Sequence, residues 1–164
     1  SSHLPPRKCL PVSDLAGNFD PRKDSPEDCA RALQTARQNK LRPSSKAYNA
    51  VIHAYARRSQ KGDAYMCKQL LSKMRAEENW QPDIFAYSSV INAFAKDGDV
   101  HNVSVLFEEL LSRNIKPTRV CLNGILKTYA KSGDAYGAGV FLERMIDEFR
   151  IQPDRRSYNT VVHA

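Results

Sequence analysis

The sequence predicts an all-α chain, an α-solenoid of tandem helix-turn-helix hairpins with about 35 residues per repeat. Three observations predict it. The stretch 84–118 holds two helical patterns on either side of Asp97-Gly98-Asp99: Tyr87, Val90, Ile91, Phe94 and Ala95 share one face, then Val100, Val103, Leu106, Phe107, Leu110 and Leu111 share another. The pattern recurs in phase, because Pro43, Pro82, Pro117 and Pro153 lie 39, 35 and 36 residues apart and Tyr48, Tyr87, Leu122 and Tyr158 repeat those separations. Gly62, Gly98 and Gly133, 36 and 35 residues apart, mark the turn inside each hairpin. Neither helix of a pair can bury its apolar stripe alone, so each hairpin needs a neighbour on both sides.

Residues 1–24 carry Pro5, Pro6, Pro11 and Pro21 without hydrophobic periodicity and read as an extended arm or linker. A helix starts at Ser25-Pro26-Glu27-Asp28, where a capping serine precedes a first-turn proline and two acids suited to the positive end of the helix dipole. Cys29, Leu33 and Ala36 give it one apolar face, and Leu41-Arg42-Pro43 ends it. This is the trailing half of a repeat, 25–44. Complete repeats follow over 45–83, 84–118 and 119–154, and 155–164 starts another. The first helices bury Tyr48, Val51, Ile52 and Tyr55, then the Tyr87 set, then Leu122, Ile125, Leu126 and Tyr129. The second helices bury Cys67, Leu70, Leu71 and Met74, then the Leu106 set, then Ala138, Phe141, Leu142 and Met145. Small residues at matched places, Cys29, Cys67, Val103 and Ala138, let helices approach closely. Trp80, Ile115 and Ile151 precede the closing prolines and are expected to plug the gaps between repeats. Asn114 suits the left-handed position that closes a helix. The extra residues of the first repeat fall in turns, around 59–61 and 77–79, where insertions cost little.

A chain of 164 residues, 41% hydrophobic and 26% charged, is long enough for one domain with a sizeable core. No apolar run approaches the ~18 residues of a membrane span. A net charge of +7 points to a polyanionic partner, nucleic acid before an anionic membrane surface. Cys9, Cys29, Cys67 and Cys121 lack metal-site spacing; Cys29, Cys67 and Cys121 fall in helical stretches and read as small buried hydrophobes in a reducing compartment. The histidines His3, His53, His101 and His163 are scattered. His53 and His163 fall in repeat register, which suits a groove or surface position. Asp97, Asp99 and Asp134 are turn acids at helix starts rather than a converging acid pair. With no nucleophile, metal or phosphate-loop motif, no enzyme activity and no cofactor are expected of this segment, and any appended catalytic domain would lie outside it.

One residue follows each marker: Asn49, Ser88, Asn123 and Asn159, all short and polar. An amide can donate and accept hydrogen bonds, so it can read a base edge. It can equally bond to its own helix, and residue chemistry alone leaves both roles open. Arg57, Lys96 and Lys131 recur at the ends of the first helices, where cations suit the negative end of the dipole.

The runs Ala47-Tyr48-Asn49-Ala50-Val51-Ile52, Ala86-Tyr87-Ser88-Ser89-Val90-Ile91, Leu122-Asn123-Gly124-Ile125-Leu126 and Ser157-Tyr158-Asn159-Thr160-Val161-Val162, with the endings Gln81-Pro82-Asp83, Lys116-Pro117-Thr118 and Gln152-Pro153-Asp154, resemble the pentatricopeptide repeat family. The resemblance covers roughly 25–164. The 34-residue tetratricopeptide repeat is the nearest rival, but it expects a small residue where this chain has Ile52, Ile91, Leu126 and Val162. The resemblance implies a right-handed superhelix with first helices lining an inner groove. It also implies sequence-selective binding of single-stranded RNA, about one repeat per base, in a mitochondrion or chloroplast, serving RNA processing, stability, splicing, editing or translation. Base recognition would pair Asn49 with Asp83, Ser88 with Thr118 and Asn123 with Asp154. Ser44 and Asn159 stand without partners in the segment. The implied preference is uridine, purine, uridine, read 5′ to 3′ from N- to C-terminus, with Thr118 departing from the family's usual asparagine or aspartate. Phe85 and Val120 would sandwich bases, and Lys46 and Arg156 depart from that type though their stems could cover a base face. Arg57, Lys96 and Lys131 would contact phosphates. Organellar RNA-processing or ribosomal proteins are further partners, and no membrane is expected. The competing reading is a protein-binding scaffold in an organellar ribosome or polymerase complex. It calls for an apolar strip along the groove in place of polar and cationic side chains.

Overall fold

The computed structural model describes residues 9–10, 24–76 and 81–164. Its helices are α1 (Pro26–Gln38), α2 (Ser45–Arg58), α3 (Asp63–Ala76), α4 (Ile84–Ala95), α5 (Val100–Ser112), α6 (Arg119–Ser132), α7 (Ala135–Asp147) and α8 (Arg155–Val162). They are the half repeat, the three hairpins and the trailing first helix of the expected array. One short feature departs from an all-helical reading: β1 (Cys9–Leu10) pairs in parallel with β2 (Arg42–Pro43). A residue before proline is pushed out of the helical region, so Arg42 is extended and its backbone is open to pairing. The rest of the expected arm, and Trp80, lie outside the described residues.

The helices start and stop for local reasons. Ser25 caps α1 by accepting from Asp28 N at 3.2 Å, with Pro26 in the first turn. Asp99 and Asp134 cap α5 and α7, accepting from Asn102 N at 3.0 Å and Gly137 N at 2.7 Å. Asn114 has φ 57°, as expected, but Lys40 and Arg150 take the same left-handed place at φ 58° and 55°. Gly98 is the turn glycine with the tightest surroundings: at φ +69°, a Cβ there would sit 3.1 Å from Lys131 Cγ and 3.3 Å from the α6 backbone. The α4–α5 turn is thus pressed onto the end of the next first helix.

Packing is in two layers. First helices touch in sequence, α2 on α4, α4 on α6 and α6 on α8, and each second helix fills the cleft between its own first helix and the next. Tyr48, Tyr87 and Leu122 are buried in register, as are Ile52, Ile91 and Leu126. Cys29, Cys67, Val103 and Ala138 are buried at their matched places, and Ile115 and Ile151 pack against the core. Burial pushes the Cys67 and Cys121 thiols up to about 12, so they remain neutral. On α8 the equivalents Tyr158 and Val162 are 49% and 79% exposed, because the described residues place no second helix over them.

Two polar networks bind repeats together. Arg58, at the end of α2, donates to Asp63 at 2.6 and 3.0 Å and to Glu27 of α1 at 2.7 Å, while Gln60 N also donates to Asp63. Glu109 of α5 accepts from Tyr87 Oη at 2.8 Å and from Arg75 and Arg113. The Arg58 guanidinium holds the Asp63 carboxyl below the usual carboxylate range. Burial alone would raise Glu109, but hydrogen bonds from Tyr87 and Arg75 carry it lower. A depressed folded-state pKa contributes stability above the unfolded value of roughly 4, and that contribution is lost as pH falls through the folded value. The melting temperature is therefore expected to fall steadily when pH drops below about 4, and Asp63→Asn to flatten that fall. Thermal melts at stepped pH check this; a melting temperature level through the acid range would discard these two networks as its source.

Candidate nucleic-acid interface

The site grows from the junctions between repeats. The last residue of each repeat is the N-cap of the next first helix. Ser44 accepts from Ala47 N at 3.2 Å, Asp83 from Ala86 N at 2.9 Å, Thr118 from Cys121 N at 3.3 Å and Asp154 from Ser157 N at 2.9 Å. Capping therefore belongs to these residues and not to Asn49, Ser88 or Asn123. Asn49 Nδ2 donates to both carboxylate oxygens of Asp83 at 3.3 Å. Asn123 Oδ1 accepts from Ser157 Oγ at 2.6 Å, and Asp154 lines the same hollow as Asn123. The Ser157 backbone N–H keeps Asp154 below the usual carboxylate range. In the middle repeat Ser88 is buried. Asn49 and Asn123 are half-buried and Asn159 is exposed.

The predicted sandwich residues stand in the open. Phe85 is 73% and Val120 65% exposed, and Lys46 and Arg156 are exposed as well. At the third junction these parts meet in one depression of about 470 Å³, where Val120, Asn123, Asp154 and Arg156 are joined by Asn92 and Lys127. An apolar face, a polar pair and a cationic stem from the next repeat thus line one slot. A second hollow, of about 570 Å³, gathers Arg156, Asn159 and His163. A third, about 480 Å³ between α1, α2 and α3, contains none of the predicted site residues.

The three terminal cations differ. Arg57 and Lys131 are exposed. Lys96 Nζ donates to Ala56 O at 2.6 Å, so it closes the carbonyl end of α2 in the preceding repeat. One of its three donors is spent there. Sequence reasoning missed Asn92 and Lys127 in the slot. The signal was available, since His53, Asn92, Lys127 and His163 form one register column and only its histidines were singled out. Among the described residues no group of three or more His, Cys, Asp or Glu side chains is placed to hold a metal ion.

A family model described as the pentacotripeptide-repeat region of PRORP matches residues 14–163. A chloroplastic pentatricopeptide repeat-containing protein of Arabidopsis thaliana is 36% identical over 70 residues, which is 42% of this chain and 12% of that protein. The crystal structure of maize PPR10 superposes with a TM-score of 0.72 at 20% identity, over 83% of this chain and 19% of that one. PPR10 in complex with an 18-nt psaJ RNA element superposes at 0.69 and 19% identity, over 91% of this chain and 21% of that one. The chain therefore spans about a fifth or less of these proteins, and at this identity the structural likeness shows the fold.

Proposed function

The chain belongs to the pentatricopeptide repeat family, and on that premise we propose that its first-helix layer binds single-stranded RNA, one repeat to a base, in the RNA metabolism of a mitochondrion or chloroplast. The observation that carries this reading is the slot at the third junction, where Val120 and Arg156 flank the Asn123–Asp154 pair. A base slid between those two faces would stack on a valine and a guanidinium stem and meet donors and acceptors at its edge. The names of the plant relatives, chloroplastic or mitochondrial, support an organellar setting. The slot's lining of amide, carboxylate and cations, without an apolar strip, supports RNA over a protein partner.

Asn49–Asp83 and Asn123–Asp154 are the two readers of uridine in this proposal. The buried Ser88 contributes less, so the middle base is read loosely. Selection from a random single-stranded RNA pool is the direct test. Enrichment of sequences with two uridines around a variable base supports the proposal, and equal binding of single-stranded and duplex RNA would sink it.

The cations give a separate prediction. Changing Arg57, Lys96 and Lys131 to glutamine should weaken binding and flatten the log–log salt dependence by roughly 0.7 for each lost phosphate contact, with base preference kept. Titration at several salt concentrations measures it. An unchanged slope takes these residues off the phosphate track.

A further inference from the structure

The two asparagine–aspartate pairs have the same composition, yet the structure prepares them differently. The difference lies in the third residue of the following repeat: Ala86 after the first repeat, Cys121 after the second and Ser157 after the third. Ser157 is fully buried. Its Oγ accepts from Asp154 N at 3.1 Å, which leaves its own hydrogen for Asn123 Oδ1 at 2.6 Å. The other acceptor near that hydroxyl, Asp154 Oδ1 at 3.0 Å, already takes the Ser157 N–H. The Asn123 amide is thus held at its oxygen.

Ala86 offers only a methyl at the equivalent place. Asn49 must turn its nitrogen to Asp83, because a carboxylate only accepts, and it does so through two long contacts of 3.3 Å. Its Oδ1 is left as the one buried side-chain nitrogen or oxygen without a hydrogen-bond partner among the described residues. A buried carbonyl oxygen in that state is unfavourable, and swinging the amide out to the groove relieves it. Asn49 can then offer a base either its donor or its acceptor, whereas Asn123 offers only its donor.

We propose that the third residue of the following repeat is a positioning residue that fixes which edge of the base-reading side chain faces the RNA, so that the repeat over 119–154 discriminates more strictly than the repeat over 45–83. This rests on the RNA-binding reading above. The chemistry it separates is uracil, whose O4 accepts, from cytosine, whose N4 amino group donates.

The test exchanges the two third residues in the full chain, as Ser157→Ala and Ala86→Ser. The probe is a single-stranded RNA recovered from the random pool, with variants that change one base at a time between uracil and cytosine. Ser157→Ala is expected to cut discrimination at the third repeat's base about 3- to 10-fold, and Ala86→Ser to raise it by a similar factor at the first, the loss or gain of one neutral hydrogen bond. The other base positions should not move. Unchanged ratios in both variants, with RNA still bound, overturn the positioning role alone. Failure of the parent chain to bind any RNA overturns the reading on which it rests. Relaxation rates of the asparagine side-chain amide nitrogens in the free protein follow the pinning without RNA: Asn123 should move less freely than Asn49, and Ala86→Ser should restrict Asn49. Equal rates overturn the proposal.

Discussion

Phe107→Ala is expected to destabilise the chain by about 3–5 kcal/mol, the usual cost of deleting a buried aromatic ring. The ring is 3% exposed and lies edge-on to Phe141, with centroids 5.6 Å apart, and to Phe149, at 5.5 Å. Those partners belong to the next hairpin, so this one side chain ties α5 to α7 and to the segment after it. Truncation therefore leaves a cavity at a junction between hairpins. Stability in a stacked array is a sum of repeat terms and nearest-neighbour terms. The missing junction should let α6–α8 melt ahead of α1–α4, and the transition should broaden or split. Total stabilities of ordinary domains are ~5–15 kcal/mol, so the melting temperature should fall by about 10 °C or more. Phe107→Leu, which keeps most of the volume, should lose far less. Thermal and urea melts followed by circular dichroism decide it. A loss below about 1 kcal/mol with a single sharp transition would show that the ring does not couple the hairpins.

The second large effect is on specificity. Asn123→Ser combined with Asp154→Asn is expected to move preference at the third repeat from uridine towards adenine, by roughly tenfold or more in the affinity ratio, the scale of a hydrogen bond involving a charged group. The shorter hydroxyl leaves room for the larger purine. An asparagine amide can donate as well as accept, where the aspartate it replaces can only accept. Asparagine caps helices as well as aspartate does, so α8 should keep its start and the fold its stability. Affinities for oligonucleotides differing at that one base give the result. An unchanged ratio, with tight binding retained, would discard the residue assignments and leave the helical array standing.

The architecture could be read from the chain because a stacked array writes its period into the sequence. The spacings of Pro43 to Pro153 and of Tyr48 to Tyr158 are the spacings of the helices themselves. Burial followed for the same reason: Tyr87, Ile91, Leu106 and Met145 hold register positions that only a neighbour can cover. What could not be read is what the register does not encode. Lys40 and Arg150 take left-handed backbone positions that neither glycine nor asparagine signals, and tertiary closure of the turn imposes them. Ser88 is buried although it holds the same register place as Asn49 and Asn123, which no single motif shows. The Lys96 ammonium lies on a carbonyl 40 residues earlier, where pattern alone suggested a cation at the end of its own helix facing phosphate. The arrangement of Asn123 and Ser157 was invisible for the same reason, since both read as ordinary small polar residues until the helices stack.

The shared duty of Ser44, Asp83, Thr118 and Asp154 has a consequence for how such proteins diversify. Each supplies a short oxygen to the start of a helix. Only aspartate, asparagine, serine and threonine do that well. If these residues read bases as proposed, backbone physics limits the recognition alphabet at this place to four letters, and any new specificity spelled there must be chosen from residues the scaffold already requires.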